Sequence, residues 1–387
     1  MTKTGLDSFD SKMLPLIRKK KTGVLCHAPS ISSDFNHIID IVNRHDETEL
    51  SAIFGPQHGL FGQTQDNMIE WEGYIHPFYR VPVYSLYGKT RIPTDEMLSG
   101  LEVLLVDMQD VGTRPYTYMW TLKNCMQACR EKSIPVVIVD RPNPLGGLKR
   151  DGAILKRHYF TFVGGAEIPL CHGMTIGEIA FWINEKEDIN CNLEIVRMDG
   201  WERKMEWEHT GLPWVFPSPN MPSVNTARVY PGMVLVEALN ISEGRGTTLP
   251  FELCGAPFLD TTAIIKELNN MKIPGCAFRQ HNFIPTFHKF RDEYCSGLQI
   301  HITDYKSYEP VYTAACLFKK IEQITGKLRF KDPPYEYEEN LIPFDILSGD
   351  NNLRNTIKDN GSLNQERERW RNDISIFDRE VKDYLLY

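Results

Sequence analysis

Two apolar runs, LEVLLVD (101–107) and IPVVIV (134–139), carry almost no polar residue, and each stops abruptly at a polar loop. A strand with one wet face alternates apolar and polar residues, whereas runs like these need cover on both faces. A parallel sheet layered between helices supplies it. Shorter β-rich runs at 22–27, 50–54, 81–86, 193–198 and 234–241 fit the same sheet. Between them lie helical patterns at 34–44, 118–132 and 175–187. The first should bury Phe35, Ile38, Ile39 and Val42 behind an N-cap near Asp34. The third opens with Thr175 and Glu178 in a capping box. Strands alternating with helices predict βαβ units, hence an α/β chain with a Rossmann-like parallel sheet domain.

The alternation ends near residue 255. A helix at 260–270, a strand at 297–303, a helix at 308–325, a Pro/Tyr linker at 331–337 and a charged helix at 365–385 read as a smaller α+β C-terminal domain. Residues 1–255 and 256–387 are the expected domains, a reasonable division for 387 residues. A net charge of −8 argues against nucleic-acid or anionic-membrane partners. The basic run 18–21 precedes a strand and reads as a solvated helix end. Nine scattered cysteines without a CxxC pair suit a reducing compartment. With no apolar leader and no run of 18 apolar residues, the expected location is the cytoplasm.

Chemistry is concentrated in five loops beside apolar runs: FGPQHG (54–59), DMQDVGTRPYTY (107–118), DRPNPLGG (140–147), PSPNMP (217–222) and SEGRGT (242–247). Loops leaving the carboxyl ends of parallel strands converge on one edge and form the ligand crevice. No GxGxxG, Walker loop or GxSxG occurs, so this layout predicts neither a nucleotide nor any other cofactor. The glycines of GGL and EGRG fit either anion binding through backbone N–H groups or plain turn geometry. His58 and His172 stand alone without metal-ligand spacing, so no metal is expected. Carboxylates are plentiful: Asp107, Asp110, Asp140, Glu70, Glu72 and Glu243. Taken singly, each fits an ion pair or a loop cap. Taken together beside Trp71, Tyr74, Tyr84, Tyr87, Tyr116, Tyr118 and Trp120, they fit glycosidic cleavage, in which one carboxyl protonates the leaving oxygen and another attacks or activates water.

FGPQHG, PVYSLYGKTR, DMQDVGTRPYTY, DRPNPLGG, HGMTIGE, PSPNMP, YPG and ISEGRGTTLPFELCGAP, in this order, resemble the exo-β-N-acetylmuramidase family across residues 20 to 325. The resemblance implies a Rossmann-like domain with a smaller C-terminal domain, and cofactor-free release of N-acetylmuramic acid from non-reducing ends of peptidoglycan fragments. Many relatives carry Glu where this chain has Gln57, and an amide cannot act as an acid. Glu70, Glu72 or Asp66 then takes over the role, or the branch has another amino-sugar specificity, or it binds saccharide without cleaving it. Glu70, between Met68-Ile69 and Trp71, is the first choice for a desolvated acid, with Asp110 and Glu243 as further catalytic candidates. A small saccharide is the expected partner. Its lactyl carboxylate calls for Arg114, Arg141 or Arg245, and Gln57, His58, Tyr116, Asn143, His172 and Asn220 complete the expected binding set.

Overall fold

The structure, a computed structural model, describes residues 1–65, 68–359 and 361–387. Its strands are β1 (Lys21–Cys26), β2 (Glu49–Gly55), β3 (Tyr74–Ile75), β4 (Pro82–Ser85), β5 (Val103–Asp107), β6 (Val136–Val139), β7 (Asp151–Ile154), β8 (Pro169–Cys171), β9 (Leu193–Val196), β10 (Leu253–Ala256), β11 (Cys276–Gln280) and β12 (Ser296–Ile302). Seven form one sheet in the order β3-β4-β2-β1-β5-β6-β9. All pairs in it are parallel except β3 with β4. Counting the parallel strands along the chain gives 3-2-1-4-5-6, the order of dinucleotide-binding sheets. β10, β12 and β11 make a small antiparallel sheet, and β7 pairs with β8.

The near-continuous apolar runs do line both faces of the main sheet. Leu104 and Val106 join one buried cluster with helix Tyr118–Glu131 and helix Ile176–Lys186, while Val103 and Leu105 face the other with helix Ile38–Arg44. The capping box at Thr175 and Glu178 forms as read. The first helix starts later than expected. It begins at Ile38, its N-cap is His37, whose Nδ1 accepts the Ile39 N–H, and Phe35 sits exposed at φ 62°. The run 234–241 is not a strand. Residues Val234–Ala238 form a 3₁₀ turn after helix Val224–Met233, and Leu239 makes an isolated bridge to Phe330.

Helix Val224–Met233 packs on helix Pro310–Thr325, and the YPG motif explains how closely. A Cβ at Gly232 would lie 2.1 Å from the Pro310 carbonyl oxygen and 2.8 Å from Ala314, so only glycine fits this crossing. Asp151, at the start of β7, reaches the buried N-terminal end of the same partner helix. Its Oδ2 accepts the N–H groups of Val311 (2.7 Å) and Tyr312 (3.4 Å), which have no partner within the helix. All nine cysteines are free thiols, and eight of them are buried.

Candidate active site

The notch between β1 and β5, where a sheet of this order holds its nucleotide, is filled by side chains. Arg141 grips Asp107 with two hydrogen bonds, one of them Nη2 to Oδ2 at 2.8 Å, and donates to the Ile31 carbonyl at 2.9 Å. His27 Nε2 accepts the Gln109 N–H at 2.8 Å, and Ser30 Oγ donates to the Asp107 carbonyl at 2.6 Å. A cavity of about 20 Å³ beside Arg141 and Gln109 is what stays open there. Among the described residues, no group of three His, Cys, Asp or Glu side chains could hold a metal ion.

The polar cavity lies to one side of this notch, under the loops that follow β2 and β5. Gln57, His58, Tyr116 and Thr117 line it together with Ser218, Asn220, Tyr230, Glu237, Arg245, Tyr335 and Glu336. Loop after loop contributes from far apart in the chain, as the convergence argument requires. Two carboxyls border the space, and they are treated differently. Glu237 is clamped: Arg245 donates to its Oε1 at 2.7 Å and the Tyr335 hydroxyl to its Oε2 at 2.6 Å. Glu336 receives the Tyr87 hydroxyl on Oε2 at 2.8 Å and lies within hydrogen-bonding reach of Gln57. Burial, reinforced by the negative charge of Glu237, pushes the Glu336 carboxyl up to about 7. Gln57 accepts the Thr117 hydroxyl on Oε1 at 2.7 Å, which turns its NH₂ away from Thr117.

Glu243 lies behind this wall and not on it. Although burial works to neutralise it, Lys289, His288 and Arg245 hold its carboxyl well below the usual range. Lys289 Nζ donates to Oε2 at 2.9 Å, and Arg245 Nε approaches Oε1 at 3.2 Å. A carboxylate so stabilised cannot serve as a proton donor near neutrality, so Glu243 acts as the anchor of Arg245. Gly244 at φ 76° and Gly246 at φ 78° give the EGRG loop its turns, the plainer of the two readings.

The other expected site residues divide cleanly. Gln57, His58, Tyr116, Asn220 and Arg245 line the cavity. Arg114 does not: it is fully buried and donates to the carbonyls of Ala153 (2.9 Å), Ile168 (3.0 Å) and Leu347 (2.7 Å), so it stitches loops together. Arg141 is taken by Asp107, as described. Asn143 caps its own turn, accepting the Leu145 N–H at 2.9 Å and donating to the Met174 carbonyl at 2.9 Å. Asp110 accepts the Gly112 N–H at 2.6 Å and stands 3.2 Å from His172 Nε2, both residues buried away from the cavity lining. Glu70 is not desolvated. Met68 and Ile69 are themselves exposed, and Glu70 faces outward against Arg91 (3.4 Å) and the Tyr337 hydroxyl (3.1 Å). With Glu72 it borders a separate surface groove, and Asp66 lies outside the described residues.

Glu237 and Glu336 escaped the sequence reading, yet each left a trace. Glu237 is the lone charge in the apolar run VLVEAL, and Glu336 stands between two tyrosines in PPYEYEE. Two buried carboxyls on one cavity, one of them raised to about 7, walled by tyrosines and without a nucleotide fingerprint, fit glycosidic hydrolysis. The class that fold and cavity define is therefore a glycoside hydrolase on a nucleotide-type sheet. Residues 22–225 match the profile of the exo-β-N-acetylmuramidase NamZ N-terminal domain, and residues 228–387 match its C-terminal domain. The peptidoglycan β-N-acetylmuramidase NamZ of Bacillus subtilis (strain 168) is 40% identical over 385 residues, covering 99% of this chain and 91% of the relative. Crystal structures of two DUF1343 family proteins from Bacteroides fragilis superpose with TM-scores of 0.90 and 0.78 at 31% and 26% identity, covering 100% of this chain and 99% of each. The chain belongs to the exo-β-N-acetylmuramidase family.

Proposed function

We propose that the protein releases N-acetylmuramic acid from the non-reducing ends of peptidoglycan fragments, with Glu336 as proton donor and Glu237 as the ionised partner. The observation that carries this reading is the pair itself: two buried carboxyls on one cavity, one pushed up to about 7 and the other clamped by Arg245 and Tyr335. Near neutrality Glu336 holds a proton to give to the leaving oxygen, while Glu237 supplies the negative charge that attacks or activates water and offsets the charge growing on the sugar ring. Of the three arginines suited to a lactyl carboxylate, Arg245 lines the cavity and is the one assigned to it, in addition to its ion pairs with Glu237 and Glu243. His58 and Asn220 stand on the same wall for the sugar's remaining polar groups. No cofactor enters this scheme.

Turnover of a chromogenic N-acetylmuramide tests the reading. The wild type should cleave it after exhaustive EDTA dialysis. Glu336→Gln should lose about 10²- to 10⁴-fold in kcat while still binding the sugar. Turnover should also fall as pH rises through about 7, where Glu336 gives up its proton. Near-normal turnover by Glu336→Gln would remove the assignment. Gln57 keeps a second reading open, because the resemblance places a carboxyl there. Tight binding without turnover by the wild type would make this chain a saccharide-binding member of its family.

A further inference from the structure

The segment Tyr335-Glu336-Tyr337 carries the assigned acid, and its backbone is unusual. Glu336 and Tyr337 both have left-handed φ, 44° and 69°, which non-glycine residues adopt only when their surroundings impose it. Arg91, the last residue of the PVYSLYGKTR motif, packs against this segment. Its guanidinium lies 3.6 Å from the centre of the Tyr337 ring and 5.0 Å from that of Tyr87. Tyr337 follows Glu336 in the chain, and Tyr87 donates the hydrogen bond to its carboxylate. The ring that follows the acid in the chain and the ring that hydrogen-bonds it are thus both met by one cation outside the cavity lining. Arg91 is fixed in turn by Glu70 (3.4 Å), which also takes the Tyr337 hydroxyl (3.1 Å), and by its own carbonyl, which accepts from Asn124 at 3.0 Å.

We propose that Arg91 is a positioning residue for Glu336: its planar cation clamps Tyr337 and Tyr87 and so holds the acid-bearing segment against the cavity. The proposal rests on the catalytic reading above only for its effect on turnover. Among the described residues, the charged and titratable groups facing Glu336 are Tyr87 and Arg91 from the loop after β4, Glu237 from the 3₁₀ turn, Tyr230 from the preceding helix, Tyr335 and Tyr337 beside it, and His58 and Arg245 on the shared cavity wall. Arg91 is the cation stacked on the acid-bearing segment itself, so its removal has a predictable sign. Losing a nearby positive charge favours the protonated carboxyl.

The experiment is a ¹³C NMR titration of the Glu336 carboxyl in the wild type, Arg91→Met and Arg91→Lys, with the pH profile of kcat on a chromogenic N-acetylmuramide alongside. Arg91→Met should raise the Glu336 midpoint by roughly half to one pH unit. It should also move the alkaline limb of kcat upward with it and lower kcat more than it raises KM. Arg91→Lys, which keeps the charge but not the planar stack, should leave the midpoint near the wild-type value yet still lower kcat. A wild-type kcat in a folded Arg91→Lys, or an unmoved midpoint in a folded Arg91→Met, would overturn the proposal. Its failure is distinct from failure of the catalytic reading, because the NMR midpoint reports on Arg91 even if Glu336→Gln stays active.

Discussion

Gln57 bears most directly on the proposed acid, Glu336. With its Oε1 occupied by the Thr117 hydroxyl, it has only N–H groups to offer Glu336, and those favour the ionised carboxyl. Replacing it by Glu puts a second negative charge beside the first. Gln57→Glu should therefore shift the alkaline limb of the kcat profile upward, measurable with the chromogenic substrate between pH 5 and 9. A limb that stays in place would mean that Gln57 does not communicate with the acid. The same assay separates the two classes of acid. Glu237→Gln should reduce kcat by about 10²-fold or more, since an interaction made with the transition state is lost. Glu70→Gln should reduce it by about tenfold at most, through a looser Arg91. Polar loops announced the cavity's wall in the sequence, but the acids did not announce themselves. Glu336 meets Tyr87, Gln57 and Glu237, all distant in the chain and adjacent only after folding. No local pattern encodes that meeting. Arg114 misled for the opposite reason: its motif is dense in polar groups, yet its guanidinium turns inward to three carbonyls.

At the level of elements, the parallel strands of the main sheet are legible in the sequence, most plainly β5 and β6, whose burial on two faces is written directly into composition. That reading fails at 234–241, where the same apolar density serves a tight helical turn packed under the cavity. Glu237 is the interruption that marks the difference, since its side chain must leave the apolar layer to meet Arg245 and Tyr335. The sequence expectation has no counterpart to β3, β7, β8, β10 and β11. All but β11 are four residues or fewer, too short to display a period. The crossing of helices Val224–Met233 and Pro310–Thr325 gives a direct test of packing. Gly232→Ala should lower the unfolding free energy by about 2–3 kcal/mol in urea titrations, because neither the Pro310 carbonyl nor Ala314 can retreat from a methyl group without parting the helices. An unchanged midpoint would show that the crossing is looser than its geometry.

Across the whole molecule, the far end of the chain is tied back to the main sheet. The Tyr387 hydroxyl donates to Asp140 at 2.7 Å, directly after β6, and the Leu386 N–H donates to Glu178 at 2.8 Å. Burial, aided by the Glu178 charge, raises the Asp140 carboxyl from 3.8 to about 6. A carboxyl raised on folding adds stability that is complete below its unfolded value and is lost as pH climbs through the folded one. Asp140→Asn, neutral at every pH, should thus be less damaging at pH 7.5 than at pH 5, the two penalties differing by up to about 2 kcal/mol in chemical denaturation. A pH-independent penalty would argue against the assignment. The cavity has a consequence of another kind. Its free volume is about 30 Å³, room for two or three waters and far less than an amino sugar. If an amino sugar occupies this cavity, the wall has to part first, and association is then expected to be timed by the protein's own opening frequency and not by diffusion. Stopped-flow binding of a muramic acid analogue should show an observed rate that levels off as ligand concentration rises, where a preformed site would give a straight line.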